Sequence, residues 1–157
     1  MNDIYSYFTI WGLLISFSIF LWSVFLVVPK WIFLFACCLL TSTSIMGTFF
    51  ITFPSVQLKS DFKNISTKQV ILEDAFIHSG PLILFLCLFP VLKKNTNGSK
   101  HLGKTLSLLL IVALAYLGHV KFEQIYENYD YFCLIILSLT VFLSSYQIYI
   151  SLLGLKV

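Results

Sequence analysis

Three side chains in this sequence have the types and spacing for covalent chemistry: Thr9, Asp74 and His78. His78 is the only histidine in the run from Ala75 to Leu92, which has no Asp, Glu, Lys or Arg. An ionisable group within so apolar a run is a functional candidate, because burying it costs free energy unless it has a partner. Asp74 lies four residues earlier, on the same face of a helix. A carboxylate there fixes the imidazole tautomer and favours its protonated form. Thr9 lies about one turn into the first apolar run, at a depth matching that of His78 if the two runs are neighbouring helices. A hydroxyl, an imidazole and a carboxylate are the parts of an activated nucleophile. The plainer reading is an interfacial Asp–His pair beside a threonine that bonds its own helix.

The remaining candidates carry less chemistry. His119 adjoins Lys121, Glu123, Gln124 and Glu127, which reads as a solvated interface, and His101 reads as surface. Cys37, Cys38, Cys87 and Cys133 all fall in apolar runs, and none has the C-x-x-C spacing of a zinc or thioredoxin site. They read as packing residues, and no metal site is expected. The run Thr41-Ser42-Thr43-Ser44 reads as interhelical hydrogen bonding.

The elements that must position these residues follow from composition. Of 157 residues, 59% are hydrophobic and only 11% charged, against about 25% charged in a soluble domain. The net charge of +3 comes from ten lysines without a single arginine. Arginine is the residue of bidentate phosphate and guanine recognition, so no nucleic-acid partner is expected. Nearly uncharged runs predict an all-α, polytopic membrane helix bundle, a single integral membrane domain over 1–157. Its five transmembrane helices are expected near 5–28, 31–53, 75–92, 102–120 and 131–153. Each is long enough at about 1.5 Å per residue for a hydrocarbon core of about 30 Å. Pro29-Lys30-Trp31 predicts a tight interfacial turn. The first run has no basic segment before it and a second follows at once, unlike a cleavable signal peptide.

Strict alternation of five spans places the N-terminus, the 54–74 loop and the 121–130 loop on one side. Lys30, Lys93, Lys94, Lys100, Lys104 and Lys156 fall on the other, where no acid falls. Counting lysines predicts an outside N-terminus and an inside C-terminus. Two glycosylation sequons, at Asn64 and Asn97, then fall on opposite sides, so at most one is usable. The arginine-free, Phe-, Ile- and Lys-rich composition also fits an organellar origin, the mitochondrial inner membrane included.

The segment Asp74-Ala-Phe-Ile-His78-Ser79 resembles the histidine motif of the androgen-induced and androgen-dependent multi-span membrane hydrolases. These cleave fatty-acid esters of hydroxy fatty acids with a membrane-embedded threonine and histidine. Tyr7-Phe8-Thr9 is similar to that family's threonine context. The resemblance implies Thr9 as nucleophile and His78 as base, with Asp74 added here as the orienting carboxylate. The chain departs from the family in having one span fewer than the usual six. It also has Tyr129-Asp130-Tyr131 where the family carries an aromatic–proline signature.

A second resemblance is to the small membrane-anchor subunit of succinate dehydrogenase, in which a haem-ligating histidine precedes an Asp-Tyr pair by eleven residues. His119 precedes Asp130-Tyr131 by that spacing. This implies haem b on His119, quinone near Tyr131, and the last three spans as the anchor. The intervening Lys121 to Asn128 is more polar than a haem-bearing helix should be. A third class, an accessory subunit packing against partner membrane subunits, needs no chemistry. No span shows the paired charges or broken helices of an ion path. The preferred expectation is a cofactor-free hydrolase whose lipid substrate enters laterally from the lipid bilayer, between spans one and three.

Overall fold

A computed structural model describes the backbone of residues 8–52, 72, 75–99, 101–119 and 131–154. It describes their side chains apart from 49–52, 75, 119 and 131–134. Helix α1 spans Phe8–Phe25 and α2 spans Lys30–Thr52. A π-helical turn, Ala75–Ser79, leads into α3, Gly80–Leu92. Helices α4, Leu102–His119, and α5, Tyr131–Leu152, complete the set. The molecule is thus mostly helical, and each helix falls where an apolar run predicts one. Four helical stretches, Phe8–Phe25, Lys30–Thr48, Phe76–Asn95 and Ile135–Leu152, are long and apolar enough to cross a membrane. The apolar stretch of α4, Leu102–Gly118, is shorter, so among the described residues four helices meet that standard.

Helix α2 is the hub. Every residue from Phe33 to Leu40 is at most 1% exposed, so this helix is buried around its whole circumference. The others pack around it, α1 and α5 most extensively, and keep large apolar side chains on the outside. Trp22 and Phe25 of α1, Ile83 and Val91 of α3, Ile111 and Leu114 of α4, and Ile135 and Ile148 of α5 are all exposed. So apolar an exterior far exceeds the patches of a soluble monomer and is compatible with an integral membrane protein.

Aromatic rings knit α1, α2, α3 and α5 together. Phe20 stacks on Phe85 at 4.5 Å and meets Phe33 edge-on at 5.7 Å. Phe89 lies 6.0 Å from Phe33 and 5.6 Å from Tyr149.

The turns after α1 and α3 are tied together. Val28–Pro29 (β1) and Thr96–Asn97 (β2) form a two-residue parallel pairing, Val28 opposite Thr96 and Pro29 opposite Asn97. Asn95 Nδ2 donates to the Ser23 carbonyl at 2.8 Å, satisfying a group that the end of α1 leaves open. Thr105 Oγ1 donates to the Trp31 carbonyl at 3.3 Å. Both turns and the start of α4 therefore lie at one end of the bundle, with Lys30, Lys93, Lys94 and Lys104.

The direction of α5 departs from strict alternation. Phe35 meets Phe142 at 6.4 Å, and Thr41 Oγ1 shares a 2.7 Å hydrogen bond with Tyr149 Oη. Moving up α2 from Phe35 to Thr41 thus matches moving up α5 from Phe142 to Tyr149, so the two helices run parallel. The end of α5 lies at the same end of the bundle as the start of α1, where alternation of five spans expects opposite ends. The joining residues, 120–130, lie outside the described residues.

Candidate functional site

Thr9 begins a stripe on α1 that recurs at Gly12, Ser16, Phe20 and Ser23, the last four buried. The stripe faces α2. Gly12 abuts Thr43, where a Cβ on the glycine would come within 2.9 Å of Thr43 Oγ1 and nearer still to its methyl. Ser16 Oγ donates to the Ala36 carbonyl at 3.1 Å, a bond between helices rather than back to its own. Small residues here let the two backbones approach closely. Thr9, half-buried, continues this face one turn toward the start of α1. Because α1 and α2 are antiparallel, one turn beyond Thr43 on α2 is the matching level, and that residue is Gly47.

His78 packs on Gly47. It is 8% exposed, and a Cβ placed on Gly47 would fall 2.7 Å from its Cγ and closer still to Cδ2 and Nε2. One edge of the imidazole thus fills the space where any other residue would carry a side chain. The π-helical turn sets this up. Pro81 has no N–H to donate to the Ile77 carbonyl, so the α-helical ladder is interrupted and the preceding turn winds wider. Short π-helical segments of this kind recur at functional sites.

Two registers bracket the level of His78 on α1. Gly12–Thr43 and Gly47–His78 together place it beside Phe8 and Thr9. The Phe20–Phe85 stack, followed seven residues back along each of the parallel helices, places it beside Leu13. Thr9 falls within that bracket, which is about one turn deep. The fold thus places Thr9 and His78 within about one turn of each other along the bundle, Thr9 on the face of α1 that meets α2 and His78 on Gly47. Asp74, expected as the orienting carboxylate, lies outside the described residues.

His119 ends α4 and Tyr131 begins α5; their side chains lie outside the described residues. The three helices that a haem-bearing anchor would group, α3, α4 and α5, each pack on α2, and α3 also meets α5 where Tyr149 lies against Phe85 and Phe89. Among the described residues no three His, Cys, Asp or Glu side chains converge to hold a metal ion. Cys37 and Cys38 are buried free thiols and Cys87 is an exposed one.

The Thr41–Ser44 run divides. Thr41 makes the expected interhelical bond, to Tyr149. Ser42 and Thr43 bond back to carbonyls of α2 itself, Ser42 to Cys38 and Thr43 to Leu39 and Leu40.

Gly12 and Gly47 carry the site's packing, and a Gly-x-x-x-Gly search does not find them. The looser pattern of two small residues four apart does, as Gly12-Leu-Leu-Ile-Ser16 and Thr43-Ser-Ile-Met-Gly47. The chain matches no family model, no curated protein and no solved structure.

Proposed function

We propose that this chain is an integral membrane protein that hydrolyses lipid esters, with Thr9 as nucleophile and His78 as general base. The observation that carries the reading is the seat of His78: a buried imidazole held on Gly47, within about one turn of Thr9 along the bundle. In the reaction, Thr9 Oγ attacks the ester carbonyl while His78 takes the hydroxyl proton. His78 returns that proton to the leaving alcohol, giving an acyl-threonine. A water, deprotonated by the same imidazole, then releases the fatty acid and regenerates Thr9. Asp74 would hold the imidazole tautomer from one turn earlier in the chain. The apolar exteriors of α1 and α3 suit a substrate that arrives laterally from the bilayer.

The test is labelling of the detergent-purified protein with a fluorophosphonate probe, beside Thr9→Ala and His78→Ala variants whose folding is verified by thermal unfolding. Labelling of the wild type that disappears in both folded variants is the expected result. A well-folded wild type that takes no label, or label that survives in Thr9→Ala, would overturn the assignment.

A further inference from the structure

We infer that the end of the bundle formed by the α1–α2 and α3–α4 turns is a binding surface for the phosphate headgroup of an anionic phospholipid. The surface is basic. Lys30, Lys93, Lys94 and Lys104 all lie there, and no acid occurs in the sequence between Asp3 and Asp61 or between Asp74 and Glu123. Helix α5 also starts at this end, and the acid preceding it, Asp130, lies outside the described residues.

The lysines are mounted on a framed surface rather than on independent loops. The β1–β2 pairing joins the two turns, Asn95 ties the second to Ser23, and Thr105 ties the start of α4 to Trp31. Two of the lysines are held against aromatic rings. Lys104 Nζ sits 5.8 Å from the centre of the Trp31 ring, and Lys93 Nζ sits 5.8 Å from that of Phe89. Each ammonium group thus rests over an aromatic ring in cation–π geometry, which holds the charge at this end of the bundle.

With no arginine in the chain, recognition rests on point charges rather than on bidentate forks. That favours the charge of a headgroup over its exact shape, and it makes binding dependent on salt. The surface lies at the opposite end of the bundle from Thr9 and His78, so it serves no step of the proposed hydrolysis. It stands whichever chemistry those two residues perform.

Native mass spectrometry of the detergent-purified full chain, offered phosphatidylglycerol or phosphatidylcholine, tests the assignment. The wild type is expected to retain phosphatidylglycerol preferentially, less so as salt is raised. The exposed pair Lys93→Gln and Lys104→Gln should weaken that binding by roughly fivefold per lysine without lowering thermal stability. Lys59→Gln, in the link between α2 and the π-helical turn, should leave it unchanged. Equal retention of both lipids, or undiminished phosphatidylglycerol binding in the double variant, would sink the proposal. So would displacement of the lipid by millimolar inorganic phosphate, which would mark a site for a free anion.

Discussion

The imidazole of His78 occupies the space that a side chain on Gly47 would fill. The two residues lie on separate elements, and the contact fixes the ring against the most buried helix of the bundle. A methyl group at position 47 must therefore move the histidine. Gly47→Ala is expected to destabilise the protein by about 1–3 kcal/mol, the usual cost of overpacking, and to abolish probe labelling. Thermal unfolding of the single variants and of Gly47→Ala with His78→Ala separates the two effects. Removing the ring should recover most of the lost stability while labelling stays absent. If Gly47→Ala alone is as stable as the wild type and labels fully, His78 is not seated on α2.

Gly12 and Thr43 form the companion contact, one turn deeper. Its closest approach is to the threonine methyl, and this predicts a specific rescue. Gly12→Ala should again cost about 1–3 kcal/mol. Adding Thr43→Ser removes the methyl while keeping a hydroxyl able to bond back to Leu39, and should restore a large part of that loss. A double variant no more stable than Gly12→Ala would show that the clash is with the α2 backbone instead.

The hydrogen bond between Thr41 and Tyr149 joins α2 to α5. Interhelical bonds in membrane proteins contribute modestly, about 0.6 kcal/mol on average. Tyr149→Phe is expected to cost an amount of that order, because the ring keeps its packing against Phe85 and Phe89. A double-mutant cycle with Thr41→Val, read by thermal unfolding in detergent, should give a coupling of similar size. A coupling indistinguishable from zero would mean that the two hydroxyls do not meet.

The helices were legible in the sequence because charge is so scarce: Pro29 and the lysines from Lys93 to Lys104 mark the ends of apolar runs without competition. That His78 sits among apolar neighbours was legible for the same reason, and the structure buries it. What the sequence could not show is which helix sits at the centre. All the runs are similarly apolar, and the burial of α2 comes from tertiary packing that covers large side chains such as Phe33, Phe35 and Leu40 on every side, which no single run reveals. Spans one and three do meet, where Phe20 stacks on Phe85, but nothing in the sequence showed that α2 packs against both of them. Nor could the pattern foresee the β1–β2 pairing, since two residues carry no periodicity.

The direction of α5 yields the sharpest difference from counting spans. Helices α4 and α5 both lead away from the lysine-rich end, so residues 120–130 must join the far end of α4 to the near end of α5. The reach suffices. Eleven extended residues cover about 36–40 Å, and α4, with 18 residues, is about 27 Å long. The demand is electrostatic, because the link carries Lys121, Glu123, Glu127 and Asp130, each costing about 2.5–3.5 kcal/mol at the centre of a membrane helix. The four helices long enough to cross, α1, α2, α3 and α5, alternate in direction, and the start of α1 and the end of α5 lie at the same end of the bundle. Epitope tags at each terminus, tested for antibody or protease access in sealed vesicles, should report one side for both. Tags on opposite sides would require α5 to be turned over. That arrangement separates Phe35 from Phe142 and Thr41 from Tyr149, so Tyr149→Phe and Thr41→Val would then show no coupling.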